Sequence, residues 1–274
     1  MRIAVLMTCH NRREITLRCL RRLVFSDKCK VLNDGGLDVF VVDDGSIDGT
    51  SEAVRELSGS VRNDWDRGKI HLIEGDGNLY WARGMRVAWE AALEEEKRHC
   101  LSPTHNSRYY DGFLWLNDDV ELVPDALEKL APAIQLETPT IFVGEVVDET
   151  GAKIYGTMDG GVFSGNFVYV PRGVFEKIGL ICGAYRHAWG DIDYALRAQL
   201  AGVLVRSCGV VGTSSWHPMR PDLRSLNLCQ RWATLFDPKG WCVHDVWLYK
   251  QRNFGLFQAV CSSVHLVLHV LFLI

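Results

Sequence analysis

The sequence predicts an α/β protein built on a mainly parallel sheet with helices on both faces. Three observations carry that prediction. Short apolar runs of strand length alternate with helix-period stretches from residue 3 to residue 116, the pattern that produces a parallel sheet. Each apolar run ends in a polar cluster, as a buried strand does where it leaves the core. The chain has 274 residues, enough for one large α/β domain with a modest appendage.

The elements follow in order. Ile3-Ala4-Val5-Leu6-Met7 reads as a buried first strand giving way to polar Thr8-Cys9-His10-Asn11-Arg12. Ile15, Cys19, Leu20, Leu23 and Val24 then fall on one helical face. Leu37-Asp38-Val39-Phe40-Val41-Val42 is a second strand and stops at Asp43-Asp44-Gly45-Ser46. Asp48-Gly49-Thr50-Ser51 opens a helix through Ala53, Val54 and Leu57. Ile70-His71-Leu72-Ile73 is a third strand, followed by a Gly75-Asp76-Gly77-Asn78 loop and a helix over residues 81–96. Gly112-Phe113-Leu114-Trp115-Leu116 is a fourth strand and stops at Asn117-Asp118-Asp119. Right-handed crossovers bring the carboxyl ends of such strands to one edge, where open α/β sheets bind ligands. Further on, residues 141–147 and 161–170 are strand-like, and residues 172–178 and 191–201 are helical. Beyond Pro218 the chain is rich in Trp, Arg and Leu without clear strands. The expected organisation is a main domain over 1–220 and a helical extension over 221–274.

Composition narrows the function. A net charge of -4 offers no electrostatic basis for binding nucleic acid. Nine cysteines, an odd number without a CxxC pair, argue against a zinc ribbon or a thioredoxin-like site. Most sit in apolar runs and read as small hydrophobes in a reducing cytoplasm. The apolar opening run is too short for a signal peptide. From Leu256 to Ile274 there is no formal charge over nineteen residues, barely the ~20 that span a bilayer. Gln258, two serines and two histidines weaken a spanning reading. Residues 254–274 are therefore expected to lie on a membrane or a partner, ahead of closing the core as a buried helix. Tyr249-Lys250-Gln251-Arg252-Asn253 precedes them, and a basic-aromatic segment there suits an anionic membrane surface or a lipid-diphosphate acceptor, or forms an ordinary flank. The expected location is the cytoplasm, at the inner face of the plasma membrane.

Two acidic clusters carry chemistry. Asn117-Asp118-Asp119 ends a hydrophobic strand, where adjacent carboxylates repel each other unless something compensates them. Mg2+ or Mn2+ would do so, because hard cations take carboxylate oxygens and share their shell with phosphates; a plain turn with an Asp helix cap is the alternative. Asp43-Asp44-Gly45-Ser46-Ile47-Asp48-Gly49-Thr50 offers acceptors for a nucleotide, or an Asx turn with a capped helix. Both hold together if Asp44 binds and Asp48 caps.

These segments resemble a family 2 glycosyltransferase of the GT-A fold. The matching pieces are Val42-Asp43-Asp44-Gly45-Ser46 with Asp48-Gly49-Thr50, Trp81-Ala82-Arg83-Gly84, Leu116-Asn117-Asp118-Asp119-Val120, Gly165-Asn166, and Gly190-Asp191-Ile192-Asp193-Tyr194-Ala195-Leu196-Arg197. They stand in the family's order over about residues 1 to 220, and the asparagine before the paired Asp is similar to bacterial rhamnosyltransferase-like members. The resemblance implies a nucleotide-sugar donor, with Thr8, His10 and Arg12 beside the nucleotide and Asp44 on the base or ribose. It implies that Arg83 approaches the diphosphate, that Asn117 and Asp118 face the donor, and that Asp119 binds the metal. Asp191 matches the catalytic Asp of the family's Glu-Asp-x-Asp pattern, although Gly190 replaces the Glu. His217 matches a downstream histidine that completes the metal shell in several relatives, or is structural. Trp189, Gly165 and Asn166 would line the acceptor or sugar pocket, and Trp189 suits the core equally well. Tyr80 and Trp81 fit core packing better than the pocket.

The implied reaction is an inverting transfer from a UDP- or dTDP-sugar to a glycan or lipid-linked oligosaccharide. A cation stabilises the departing nucleoside diphosphate, and a carboxylate takes the acceptor's proton. For Asp191 and Asp193 the alternative is favourable charge at a helix N-terminus, or for Asp193 a partner to Arg197. A nucleotidyltransferase is the rival enzyme, but residues 8–13 lack the glycine a triphosphate loop needs. A non-catalytic nucleotide-sugar binder is the third reading.

Overall fold

The computed structural model describes residues 1–25, 36–64, 68–100, 109–134, 138–215 and 222–273. Strands β1 (Ile3–Cys9), β2 (Leu37–Asp43), β3 (Ile70–Glu74) and β4 (Gly112–Leu116) lie parallel in the order β3-β2-β1-β4. Helices α1 (Arg13–Val24), α2 (Thr50–Asp64) and α3 (Tyr80–Cys100) connect them, as the alternating pattern predicts. Every residue of β2 is buried, because helices cover both faces of this half-sheet. Successive strand residues point to opposite faces. Thus Val5, Met7, Val39 and Val41 pack with Leu20, Leu23 and Val54 on the α1–α2 side. Ala4, Leu6, Phe40 and Val42 pack with Met85, Ala88 and Trp89 of α3 on the other.

Beyond β4 the sheet changes hand. A two-residue β5 (Glu121–Leu122) precedes β6 (Thr140–Val147), β7 (Lys153–Tyr155), β8 (Phe167–Pro171) and, after helices α4 (Arg172–Ile178) and α5 (Gly190–Leu200), β9 (Leu204–Thr213). The sheet continues β4-β8-β6-β9-β5, with β7 on β6. β8 runs antiparallel to β4, with Leu116 opposite Phe167. The end of β4 therefore meets the start of β8, which brings residues 117–119 against residues 165–166.

Two features differ from the sequence expectation. In place of a strand over 161–170 the structure has the shorter Phe167–Pro171; Gly160 and Gly161 adopt φ of 72° and 73° and turn the chain before it. β9 carries no apolar run to announce it, since most of its residues are exposed or half-buried. It forms because β6 offers it a parallel edge, Ile141 opposite Val205.

The extension comprises α6 (Leu228–Thr234), α7 (Val243–Phe254) and α8 (Leu256–Phe272). It is locked to the main domain by two fully buried carboxylates. Asp193 of α5 accepts from Tyr185 Oη at 3.0 Å, Arg197 Nε at 3.0 Å and Asn253 Nδ2 of α7 at 3.1 Å. Asp245 of α7 accepts from the backbone N–H groups of Arg186 and His187 at 3.3 and 3.4 Å. Asp193 is thus the partner of Arg197, one of the two roles its position allowed. Among the described residues no helix is long and apolar enough to cross a membrane.

Gly84 fixes how closely α3 lies on β1. A Cβ at Gly84 would stand 2.5 Å from Thr8 Cγ2 and 2.6 Å from Thr8 Oγ1. Gly84→Ala is expected to cost about 1–3 kcal/mol in urea unfolding, and Thr8→Ala in the same chain to restore part of it. Asp193→Ala, which strands Arg197 beside Tyr185 and Asn253, should cost about 3–5 kcal/mol.

Candidate active site

The site lies at the carboxyl edge of the parallel strands, where the polar clusters converge. Asp118 and Asp119 follow β4 and are both nearly inaccessible. Arg12, in the turn between β1 and α1, places Nη1 2.9 Å from Asp118 Oδ1 and 3.8 Å from Asp119 Oδ2. Thr16 Oγ1, one turn into α1, donates to Asp118 Oδ2 at 3.1 Å. Burial nevertheless pushes the Asp118 carboxyl up to about 6, because Arg12 offsets only part of the desolvation and Asp119 adds a like charge. Burial also raises Asp119, with Arg12 and a Ser214 hydrogen bond opposing.

The two carboxylates differ in what they have left. Both oxygens of Asp118 are engaged, whereas Asp119 Oδ1 is buried with no hydrogen-bond partner among the described residues. Leaving such an oxygen unpaired is costly. A hard divalent cation sharing its shell with a diphosphate fits that oxygen. His217 lies outside the described residues.

Asn117 ties the acidic edge to the opposite wall. Its Oδ1 accepts from Trp81 Nε1 at 2.8 Å, and its backbone N–H donates to the Asn166 carbonyl at 3.0 Å. Trp81 in turn covers Gly165, where a Cβ would stand 2.3 Å from the indole. The Gly165 N–H donates to Asp191 Oδ2 at 3.0 Å, and Asp191 Oδ1 accepts from the Ile192 N–H at 2.9 Å. Asp191 heads α5, burial raises its pKa despite these two N–H groups, and among the described residues no cation pairs with it. A contact chain thus runs from Arg12 through Asp118, Asn117, Trp81 and Gly165 to Asp191.

Other candidate residues are committed differently. The Asp44 carboxylate accepts the backbone N–H groups of Gly77, Leu79 and Tyr80 at 2.9, 3.2 and 2.8 Å. It holds the entry to α3, where Tyr80 has φ of 57°. Asp43 receives the Ser46 and Ser51 hydroxyls. Asp48 caps α2 through the Thr50 N–H at 3.1 Å and accepts from the Arg13 N–H at 3.0 Å. His10 Nδ1 donates to the Asp44 carbonyl at 2.6 Å and leaves its ring exposed at the mouth. Thr8 lies beneath α3 against Gly84. Arg83 Nε is directed to the Gly183 carbonyl at 3.3 Å. Trp189 stacks on Tyr249 of α7 at 4.7 Å.

One residue of this region carries no sequence signal. His187 packs against Tyr80, ring centroids 6.5 Å apart, and its buried Nδ1 has no hydrogen-bond partner among the described residues. Burial, with Lys239 and Arg12 nearby, lowers its pKa to about 4. A histidine depressed on folding stabilises the fold fully above its unfolded pKa of about 6.5 and loses that contribution as pH falls towards 4. Stability should therefore fall between pH 6.5 and 4 by on the order of 3 kcal/mol from this group. Unfolding of His187→Gln across that window should show a flatter profile, and an imidazole titrating near 6.5 by NMR would contradict the assignment.

Residues 4–159 match the sequence profile of glycosyl transferase family 2. A search of the curated proteins finds no match. Among solved structures the chain is similar to the mannosyltransferase PcManGT from Pyrobaculum calidifontis in complex with GDP-Man and Mn2+, at 15% identity and a TM-score of 0.55. That alignment covers 96% of this chain and 64% of that one. S. aureus TarS 1-349 in complex with UDP aligns over 80% of this chain and 61% of its own, at 16% identity and a TM-score of 0.56. The same TarS segment with UDP-GlcNAc aligns over 99% of this chain and 82% of its own, at 13% identity and a TM-score of 0.57. This chain thus spans less than two thirds of the first two of these relatives, and at such identities the likeness concerns the fold. With the profile spanning more than half of its length and the α/β architecture in agreement, the chain belongs to glycosyl transferase family 2 and has the GT-A fold.

Proposed function

We propose that the chain is an inverting glycosyltransferase that moves a hexose or deoxyhexose from a UDP- or dTDP-sugar to a glycan or lipid-linked oligosaccharide in the cytoplasm. The observation that carries this reading is Asp191: a carboxylate with raised proton affinity and no cationic partner among the described residues, joined through Gly165 and Trp81 to the acidic edge at Asn117. A general base needs proton affinity at working pH and a position opposite the leaving group. Family membership supports glycosyl transfer, and the solved relatives with UDP, UDP-GlcNAc and GDP-Man support a nucleotide-sugar donor.

The residues divide the work. Arg12 carries positive charge beside Asp118 and Asp119 and faces the region where a diphosphate would develop charge. Asp118, held by Arg12 and Thr16, keeps that guanidinium in place. Asp119 Oδ1 would hold Mn2+ or Mg2+ together with donor oxygens, and such an ion supplies Lewis-acid stabilisation of the leaving group. Asp191 takes the acceptor proton as the sugar carbon is attacked from the opposite face, so no covalent intermediate is needed. Among the described residues one spare carboxylate oxygen stands here, so the cation should bind weakly alone and firmly with the donor.

Two measurements test the reading. Asp191→Asn should lower transfer by about 10²–10⁴-fold and leave the thermal shift given by the nucleotide-sugar unchanged; wild-type turnover in this variant would remove Asp191 as base. Mn2+ alone should raise Tm little, Mn2+ with a UDP- or dTDP-sugar more than the sum of the two, and Asp119→Asn should abolish that excess. An excess that survives in Asp119→Asn would place the cation elsewhere.

A further inference from the structure

The two faces of α8 have different fates. Ala259, Ser263 and Val270 are buried, packed towards α6 and α7. The opposite face leaves Leu256, Phe257, Val260, Val264, Leu268 and Phe272 between 41% and 76% exposed. Their spacing of three and four residues makes one continuous stripe, about 25 Å long at 1.5 Å per residue. Gln258, Cys261 and His265 flank or interrupt it with exposed polar side chains. α6 adjoins it, tied by Arg231 Nη1 to the Leu271 carbonyl at 3.1 Å. That helix exposes Trp232, whose ring meets the exposed Phe236 ring at a tilt of 59° with centroids 5.4 Å apart.

Charge is segregated to match. Residues 222–274 carry five basic and three acidic side chains, whereas residues 1–221 carry twenty-five basic and thirty-one acidic. Of those three acids Asp245 is fully buried and spent on the backbone N–H groups of Arg186 and His187. No carboxylate side chain lies between Asp245 and Ile274; just before the stripe Lys250 is half-buried and Arg252 is exposed, its Nε 3.7 Å from Asp193 Oδ1. Lys250 Nζ lies 5.0 Å from the exposed Phe254 ring, a cation-aromatic pair suited to a headgroup layer.

We propose that the outer face of α8 docks on an anionic phospholipid bilayer, with the helix lying in the interface rather than crossing it. An acid-free apolar stripe beside cations, on an otherwise acidic protein, fits a negatively charged lipid surface and gains both apolar burial and electrostatic attraction there. The seventeen residues of α8 fall short of a span. Docking of this kind would hold the site near a lipid-linked acceptor, but it stands on the helix alone and is tested without any donor.

The test uses the whole 274-residue chain and vesicles of three parts phosphatidylcholine to one part phosphatidylglycerol. The chain should co-sediment with them, and less with pure phosphatidylcholine or at high salt. The double variant Val260→Asp/Val264→Asp, at two exposed positions, should bind at least about tenfold more weakly. A second readout needs no disruptive variant: a solvent-sensitive fluorophore on Cys261, in a Cys229→Ser background, should shift to the blue when these vesicles are added. Equal sedimentation of the double variant and the parent overturns the proposal. So does an unshifted fluorophore, or light scattering that shows a dimer lost in the double variant with no vesicle binding by the parent, which would make a second copy the occupant. None of these outcomes bears on Asp191, whose role is read from turnover.

Discussion

The burial of two adjacent carboxylates at the end of β4 is the constraint on which the rest of this structure turns. Asp118 and Asp119 sit where the sheet leaves its core, and an unpaired charge there would cost several kcal/mol. Arg12 answers it from the neighbouring strand's turn. That turn is fixed in its own right, since Asn11 at φ 51° receives the Ile47 N–H at 2.8 Å and donates its own N–H to Ser46 Oγ at 2.7 Å. The β1, β2 and β4 ends are thereby cross-linked through side chains at the carboxyl edge.

The acidic side chains of this edge fall into two groups by how much hydrogen-bonding capacity each has left. Asp43, Asp44 and Asp48 are spent on loop and helix N–H or hydroxyl groups. Asp193 and Asp245 are spent on joining α7 to the main domain. Among the described residues Asp119 keeps an oxygen without a hydrogen-bond partner, and Asp191 is held by backbone N–H groups with no side-chain donor. Chemistry at neutral pH needs groups of the second kind, whose protonation or coordination is still open. The same reckoning makes the extension part of the site's frame: Trp189 and His187, next to Asp191 in sequence, are held by Tyr249 and Asp245 of α7.

Much of this was legible in the residues. The parallel half-sheet followed from apolar runs alternating with helical periods, because both faces of β1 and β2 are buried and their sequences show it. β9 was not legible, because its stability comes from a ready-made edge on β6 and leaves no apolar imprint. The gathering of polar clusters at the ends of the strands was legible in the residues. Their states were not: nothing local distinguishes Asp43 or Asp44, committed to backbone and hydroxyl donors, from Asp119, with an oxygen to spare. His187 has no motif around it, since its neutrality is produced by walls drawn from α3 and α7.

The sequence by itself determined the fold class, the edge at which polar groups gather and the kinship to glycosyl transferase family 2, because those reside in short-range pattern and residue type. Only the tertiary structure decided which carboxylates are occupied, how Asn117 is connected to Asp191, and which face of α8 is bare. Those are pairings between residues tens to more than a hundred positions apart, such as Arg12 with Asp118 and Asp193 with Asn253. A hydrogen bond or a buried face is a property of the partner as much as of the residue, and the partner is chosen by the fold.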